Sequence, residues 1–314
     1  MKLFVNKTVT FFIILFLLFI IGIVIPPTPK IANSLLFGKT KKDSLLVNTP
    51  YPRLILVGGS NLSFGINSEI IKDSLKVNPV NTAIHANIGL RFMLEHTISF
   101  VKKGDVIVVV PEYDQYYGDY FYGGENLVRT VFDVSKKDYD VLSLKQWIHV
   151  FPQIMKYSMS KYNLKNLNFK KLPTYSSLDS IYLKSSFNNF GDASVHWHMK
   201  GIYTPPAAKL EDESNKFNQD VIEELNKFQT EALQKGAKVY ISFPSYQESS
   251  FNNNQSAIYN VQKALNTAGF KVLGTPTRYR FADSLCFNTP YHLVKKAVDI
   301  RTKLLIQDLR DNLN

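Results

Sequence analysis

An α/β protein with a parallel, doubly wound sheet is the fold class that this 314-residue sequence predicts. Two observations carry it. Short apolar runs alternate with amphipathic helical patterns over about residues 53–112, and the same rhythm resumes after about residue 215. The interval of about a hundred residues between them is too long for a loop in a compact domain, so it is read as an insertion with structure of its own.

Val9 to Ile25 is apolar except for Thr10 and Gly22, follows Lys2 and Lys7, and leads into Pro26-Pro27-Thr28-Pro29. No small-residue cleavage signal follows, and the run has no polar face, so an uncleaved membrane-spanning anchor is expected over residues 1–28. Lys30, Lys39, Lys41 and Lys42 outnumber the lysines before the span, which on a charge count keeps the body cytoplasmic. Large domains cross with little regard to charge, and an extracytoplasmic body on a single-pass anchor is the expectation. Residues 29–52 show little periodicity and suit a tether. The globular domain is expected over 53–314, with the insertion at about 112–215.

Within the domain, Arg53 to Val57 reads as a strand, Ser68 to Leu75 as a helix and Val80 to Ile84 as a short strand. Leu90 to Val101 has helical spacing, and Asp105 to Val110 is the strongest strand pattern in the chain. In the insertion, Leu144 to Tyr162 is helix-like. A helix over Asn218 to Lys235, a buried strand over Lys238 to Phe243, a helix over Ser256 to Gly269, a strand over Lys271 to Leu273 and a final helix over His292 to Leu309 complete the alternation.

Composition narrows the function classes. The hydrophobic content of 45% supports a packed core, and the single cysteine, Cys286, excludes an intrachain disulfide and a Cys-rich metal site. A formal net charge of +11 raises nucleic acid as a partner, but the lysines are dispersed and no base-reading motif accompanies them. No nucleic-acid partner is expected. A lysine-rich solvated face, or attraction to anionic headgroups or an anionic surface polymer, accounts for the charge instead.

The chemistry-bearing stretch is Leu54-Ile55-Leu56-Val57-Gly58-Gly59-Ser60-Asn61, where an apolar strand runs into two glycines and a serine. A hydroxyl on such a turn is exposed at the sheet edge, and the glycines admit close backbone approach. Ser60 needs a base, and six histidines are available. Ligands of open parallel sheets bind beyond the strand carboxyl ends, which selects His292 in the turn Phe287-Asn288-Thr289-Pro290-Tyr291-His292. His196 and His198 lack a third ligand of convincing spacing, so no metal is expected there.

With Gly58-Gly59-Ser60-Asn61, Gly89 after the second strand, and Tyr291-His292-Leu293 near the end, the chain resembles the SGNH (GDSL-like) hydrolase family. Within it, the chain is most similar to the membrane-anchored branch near the DltD and alginate O-acetylation proteins. The likeness covers Arg53 to Glu112 and about Asn218 to Leu309, and leaves the insertion out. It implies a flavodoxin-like three-layer α/β/α fold and acyl-ester chemistry without metal or cofactor. It also implies Ser60 as nucleophile, His292 as base, and the Ser60 and Gly89 N–H groups as oxyanion donors.

Two departures bear on that reading. Val110 runs into Pro111-Glu112-Tyr113-Asp114 where the family carries an asparagine donor. Glu112 is therefore expected to pin a loop or bind a substrate hydroxyl, with Tyr113 offering its OH and Asn61 a further polar contact. Where the family has a carboxylate before the histidine, this chain has Asn288 and Thr289, so either Asn288 or Asp283 orients His292.

The expected function is a membrane-anchored esterase or O-acyltransferase acting on a cell-surface or exported polysaccharide. A multi-span membrane acyltransferase is the partner that the resemblance implies for transfer. A catalytically weak scaffold that binds glycan or an assembly partner is the alternative. The insertion's Tyr113, Tyr116, Tyr117, Tyr120 and Tyr122 suit either a sugar groove or packing onto the sheet, and Asp192 with His198 suggests a substrate-contacting loop.

Overall fold

A computed structural model describes residues 1–162 and 176–313, so residues 163–175 of the insertion lie outside the described residues. The first helix, α1 (Lys2–Val24), is 23 residues long and apolar enough to cross a membrane. Only 6% of its most apolar window is buried against the rest of the chain.

The core is a parallel sheet of five strands: β1 (Arg53–Gly58), β2 (Asn78–Asn81), β3 (Val106–Val110), β4 (Lys238–Ser242) and β6 (Val272–Leu273). Their spatial order is β2-β1-β3-β4-β6. Between β4 and β6 in sequence, β5 (Tyr246–Gln247) leaves the sheet and pairs with β7 (Arg280–Phe281).

Alternation along the strands sends side chains to two apolar layers. Ile55, Val57, Ile107, Val109, Val239 and Ile241 share one cluster with residues of three helices, Leu90–Ile98, Asp220–Gln234 and Gln255–Thr267. Leu54, Leu56, Val108, Val110 and Tyr240 face the other way, against the helices Ser68–Leu75 and Lys295–Leu313. Helices therefore cover both faces of the sheet.

The chain turns outward from β1 to β2 and then crosses to β3 on the other side. The strand order thus reverses between β1 and β3, which is where an open parallel sheet leaves a crevice beyond its carboxyl ends. Their register pairs Gly58 with Val110, so Ser60 and Glu112 stand two residues past each strand and face one another.

Three sequence expectations need correction. Residues 29–52 are not a free tether: the helix Lys39–Asn48 packs on the domain, with Lys39, Lys42 and Leu46 buried. The Lys42 ammonium donates to Asn81 O (2.9 Å) and Gly191 O (2.5 Å) and lies 4.0 Å from the Phe187 ring centre. The final helix starts at Lys295, leaving His292 in the preceding turn. The second strand is Asn78–Asn81, ending before the predicted Val80 to Ile84 run is complete.

A third apolar cluster joins the parts that the sheet does not. It combines Leu35 and Leu36 from the segment after α1, Leu127, Val131, Val150 and Ile154 from the insertion, and Phe64 from the turn after β1. Phe19 and Ile23 of α1 pack against it.

At the amino end of β1, Arg53 and Asp105 form a fully buried pair, with Nε to Oδ1 at 2.8 Å and a second bond at 2.5 Å. Arg53 also donates to the carbonyls of Leu46 and Phe100. Removing one member leaves the other charge without compensation. Asp105→Ala is expected to lower the unfolding free energy by about 3–5 kcal/mol in urea denaturation; a loss below about 1 kcal/mol would show that Arg53 finds water.

Candidate functional site at the sheet switch point

Ser60 opens a single helical turn, Ser60–Ser63, directly after β1. Its Oγ donates to Glu112 Oε1 at 3.0 Å, and the Asn61 N–H donates to the same oxygen at 2.8 Å. Gly59 makes this possible, because a Cβ there would lie 2.6 Å from Glu112 Oε1 and 2.8 Å from Ala86 Cβ. Ser60 retains 9% exposure, whereas Glu112 retains 5%.

Burial pushes the Glu112 carboxyl up to about 7, with Asp114 adding to the rise and the bonds from Asn61 and Ser60 opposing it. Near neutral pH Glu112 therefore populates both its acid and its anion. Its own N–H donates to Gln115 Oε1 (3.0 Å), and Gln115 Nε2 donates to Ala86 O (3.1 Å), so the loop after β3 is fastened across the crevice.

Asn61 is fully buried and fully engaged. Its Nδ2 donates to Val110 O (3.1 Å), while its O and Oδ1 accept from Arg301 at 2.5 and 2.9 Å. It pins the turn and is not free to meet a substrate. Sequence reading missed Arg301. The available signal was a cation at helical spacing from Ala297, Val298 and Leu305, on an otherwise apolar face.

His292 lies on Phe64, ring centres 4.2 Å apart and planes 19° from parallel. Phe64 closes the turn that Ser60 opens, its N–H donating to Ser60 O at 2.9 Å. His292 Nδ1 meets Asn288 Oδ1 at 2.8 Å, and Asn288 Nδ2 donates to Tyr182 OH at 2.6 Å. The second bond sets the amide so that its oxygen accepts from Nδ1–H, which leaves the lone pair of neutral His292 on Nε2. Burial, reinforced by His196 and His85, holds the imidazole well below its usual range.

No hydrogen bond joins Ser60 Oγ to His292 among the described residues. The serine hydroxyl is held by the carboxylate instead. Asn288 is the residue that contacts His292; Asp283 is exposed and accepts from Ser249 N–H at 3.0 Å, so the sequence alternative of Asp283 as orienter is corrected.

Gly89 has φ +87° and its N–H donates to Ala86 O at 2.9 Å. That donor is therefore spent, contrary to the expectation for an oxyanion glycine. The Tyr113 hydroxyl is also unsuited to substrate: the residue is fully buried and its OH has no partner among the described residues. Tyr116, Tyr117 and Tyr122 are buried too, so these tyrosines pack the insertion rather than line an open groove. Asp192 does not contact substrate either. It is fully buried and accepts from Ser68 N, Ser68 Oγ and Asn81 Nδ2 at 2.7–2.9 Å.

A cavity of about 300 Å³ adjoins the histidine side of the site. Leu35, Leu36, His85, Asn126, Arg129 and Tyr182 line it, and Tyr182 is the partner of Asn288.

As for metals, Asp43, His96 and Asp138 bring three ligand atoms together away from this site. The Lys39 ammonium already occupies the centre, at 2.6 Å from Asp43, 2.7 Å from Asp138 and 3.0 Å from His96 Nε2. His196 is buried with Nε2 at 3.1 Å from Leu293 O, whereas His198 is exposed.

Comparison with models of known protein families and with curated proteins finds no match to this chain.

A carboxyl whose pKa rises on folding is bound by its proton more tightly in the folded state. Its stabilising contribution is full below the unfolded pKa near 4.5 and is lost as pH rises through about 7. Between those pH values the wild-type unfolding free energy is expected to fall by about 3 kcal/mol more than that of Glu112→Gln, which keeps the oxygen acceptor. Parallel pH-stability curves for the two proteins would contradict this.

Proposed function

We propose that this chain is a membrane-anchored serine acyl-ester enzyme of the SGNH type, an esterase or O-acyltransferase acting on a cell-surface or exported polysaccharide. The observation that carries the reading is the Ser60 hydroxyl at the β1/β3 switch point, bonded to a buried carboxyl that titrates near neutrality. The His292–Asn288 pair on the adjacent Phe64 supports it.

In the proposed reaction Ser60 Oγ attacks the acyl carbonyl after turning from Glu112 toward His292. Nε2 of His292 takes the hydroxyl proton and later returns it to the departing alcohol. Glu112 in its acid form, freed of the serine, donates a hydrogen bond to the carbonyl oxygen as negative charge develops, together with the Ser60 N–H. This gives the glutamic acid the role that an asparagine amide would otherwise serve. Water then releases the acyl-serine in an esterase, and a sugar hydroxyl does so in a transferase. A multi-span membrane acyltransferase is the proposed source of acyl groups for transfer.

A second reading, a catalytically weak scaffold that binds glycan or an assembly partner, is favoured by the uncharged partner of His292 Nδ1 and by the engaged Gly89 N–H.

With p-nitrophenyl acetate and the full chain in detergent, Ser60→Ala and His292→Ala are each expected to lower kcat/KM by at least about 10³-fold. Wild-type rates in both variants would exclude a serine mechanism. Asn288→Asp separates the two readings: a rise in kcat on the order of 10²–10⁴-fold means that only charge on the orienting group is missing, while an inert aspartate variant favours the scaffold.

The role of Glu112 has its own signature. An acid donor makes kcat/KM decline as pH rises through about 7, and Glu112→Gln, retaining an N–H donor, is expected to abolish that decline while keeping activity. Loss of activity in Glu112→Gln, with a wild-type rate that climbs through the same pH, would instead make Glu112 the base.

A further inference from the structure

We propose that the insertion helix Leu144–Ser160 is a second membrane contact that lies in the headgroup layer of the same bilayer that α1 crosses. The inference rests on the reading of α1 as a membrane span.

At about 100° per residue, this helix divides into three arcs of roughly 80° each. Gln146, Val150, Ile154, Tyr157 and Lys161 at its end form one arc and are buried. Lys145, His149, Gln153, Lys156 and Ser160 form a polar arc. Leu144, Ile148, Phe151, Met155 and Met159 form the third, and they are 76%, 68%, 56%, 43% and 61% exposed. Five large apolar side chains in one line, uncovered by the described residues, suit an apolar medium and not water.

The identity of that medium follows from where α1 meets the helix. Ser158 Oγ donates to Phe19 O at 2.7 Å, Tyr162 OH donates to Leu18 O, and Lys161 Nζ donates to Ile25 O at 3.1 Å. Gly22 permits the approach, because a Cβ there would stand 2.2 Å from Ser158 Oγ. Ser158 lies between the buried arc and the apolar arc, so α1 flanks the stripe directly.

These bonds engage only Leu18 to Ile25, the carboxyl-terminal end of the apolar run. The end of the insertion helix packs at Gly22 through Ser158, about 4.5 Å of helix rise below Ile25, and the Tyr162 hydroxyl reaches Leu18, about 10 Å below it. Amphipathic helices in a membrane interface bury their apolar faces about 5–10 Å deep. The depth that α1 imposes therefore matches the depth the stripe requires. Lys156 on the polar arc is then placed toward anionic headgroups, whereas the Lys145 ammonium is held by Asp220 Oδ2 at 2.5 Å.

The test uses the full chain with Cys286→Ser, reconstituted in nanodiscs of phosphatidylcholine and phosphatidylglycerol. Single spin labels are placed at Ile148→Cys, Phe151→Cys and Met155→Cys, with Ile14→Cys as the span reference and Lys156→Cys and Ser160→Cys as polar references. Collision rates with oxygen and with a water-soluble nickel chelate are read by power saturation. The three stripe labels are expected to shift toward oxygen, in the direction of Ile14, while Lys156 and Ser160 favour nickel.

Stripe labels as nickel-accessible as Lys156, beside an oxygen-favouring Ile14, would overturn the proposal and leave the span intact. Stripe labels shielded from both reagents would overturn it in favour of a protein neighbour, such as a second copy. A nickel-favouring Ile14 would overturn the span and this inference together.

Discussion

The buried guanidinium of Arg301 organises the crevice at the end of β1. It is 2% exposed and forms no ion pair among the described residues, donating instead to both oxygens of Asn61. Asn61 in turn donates from Nδ2 to Val110 O and from its backbone N–H to Glu112. One asparagine thus ties the last helix, β3 and the serine turn together. Burial draws the guanidinium down to about 10, with Glu112 among the groups that resist the fall. The same burial drives Glu112 up to about 7. Each charge is costly without the other, and the asparagine between them keeps the two from contact.

The strands were legible because β1, β3 and β4 are continuous apolar runs, as strands covered on both faces must be. Ser60 was legible for the same reason, since the run ends on Gly58-Gly59. The Ser60–Glu112 bond was not, because it depends on Gly58 pairing with Val110 across about fifty residues of chain, and nothing local encodes a parallel register. Asn288 stands where the resemblance places the orienting residue, four before His292, and it meets Nδ1, whereas the alternative Asp283 accepts from the Ser249 backbone N–H.

Residues 29–52 were misread for a definite reason. The buried positions there include Lys39 and Lys42, and a hydrophobic pattern cannot register a lysine that is buried through ion pairs and carbonyls. Burial draws Lys42 down to about 7, with Asp192 opposing the fall and Lys41 adding to it. Tyr113, Tyr116, Tyr117 and Tyr122 illustrate the complementary limit. Aromatic residues with polar tips serve a groove or a core equally well, and only the packing decided for the core.

The lysine-anchored segment after α1 has a mechanical consequence. A domain on a slack leash samples a range of heights and can search for whatever it acts on. Here Lys42 is clamped to the end of β2 and to Gly191, and α1 is clamped to the insertion, so the serine turn stands at one distance from the end of α1. Under the proposed function, selectivity then acquires a ruler: a group is presented to Ser60 only if its own geometry reaches that height, and lengthening the chain between Pro26 and Ser34 would not extend the reach while those clamps hold.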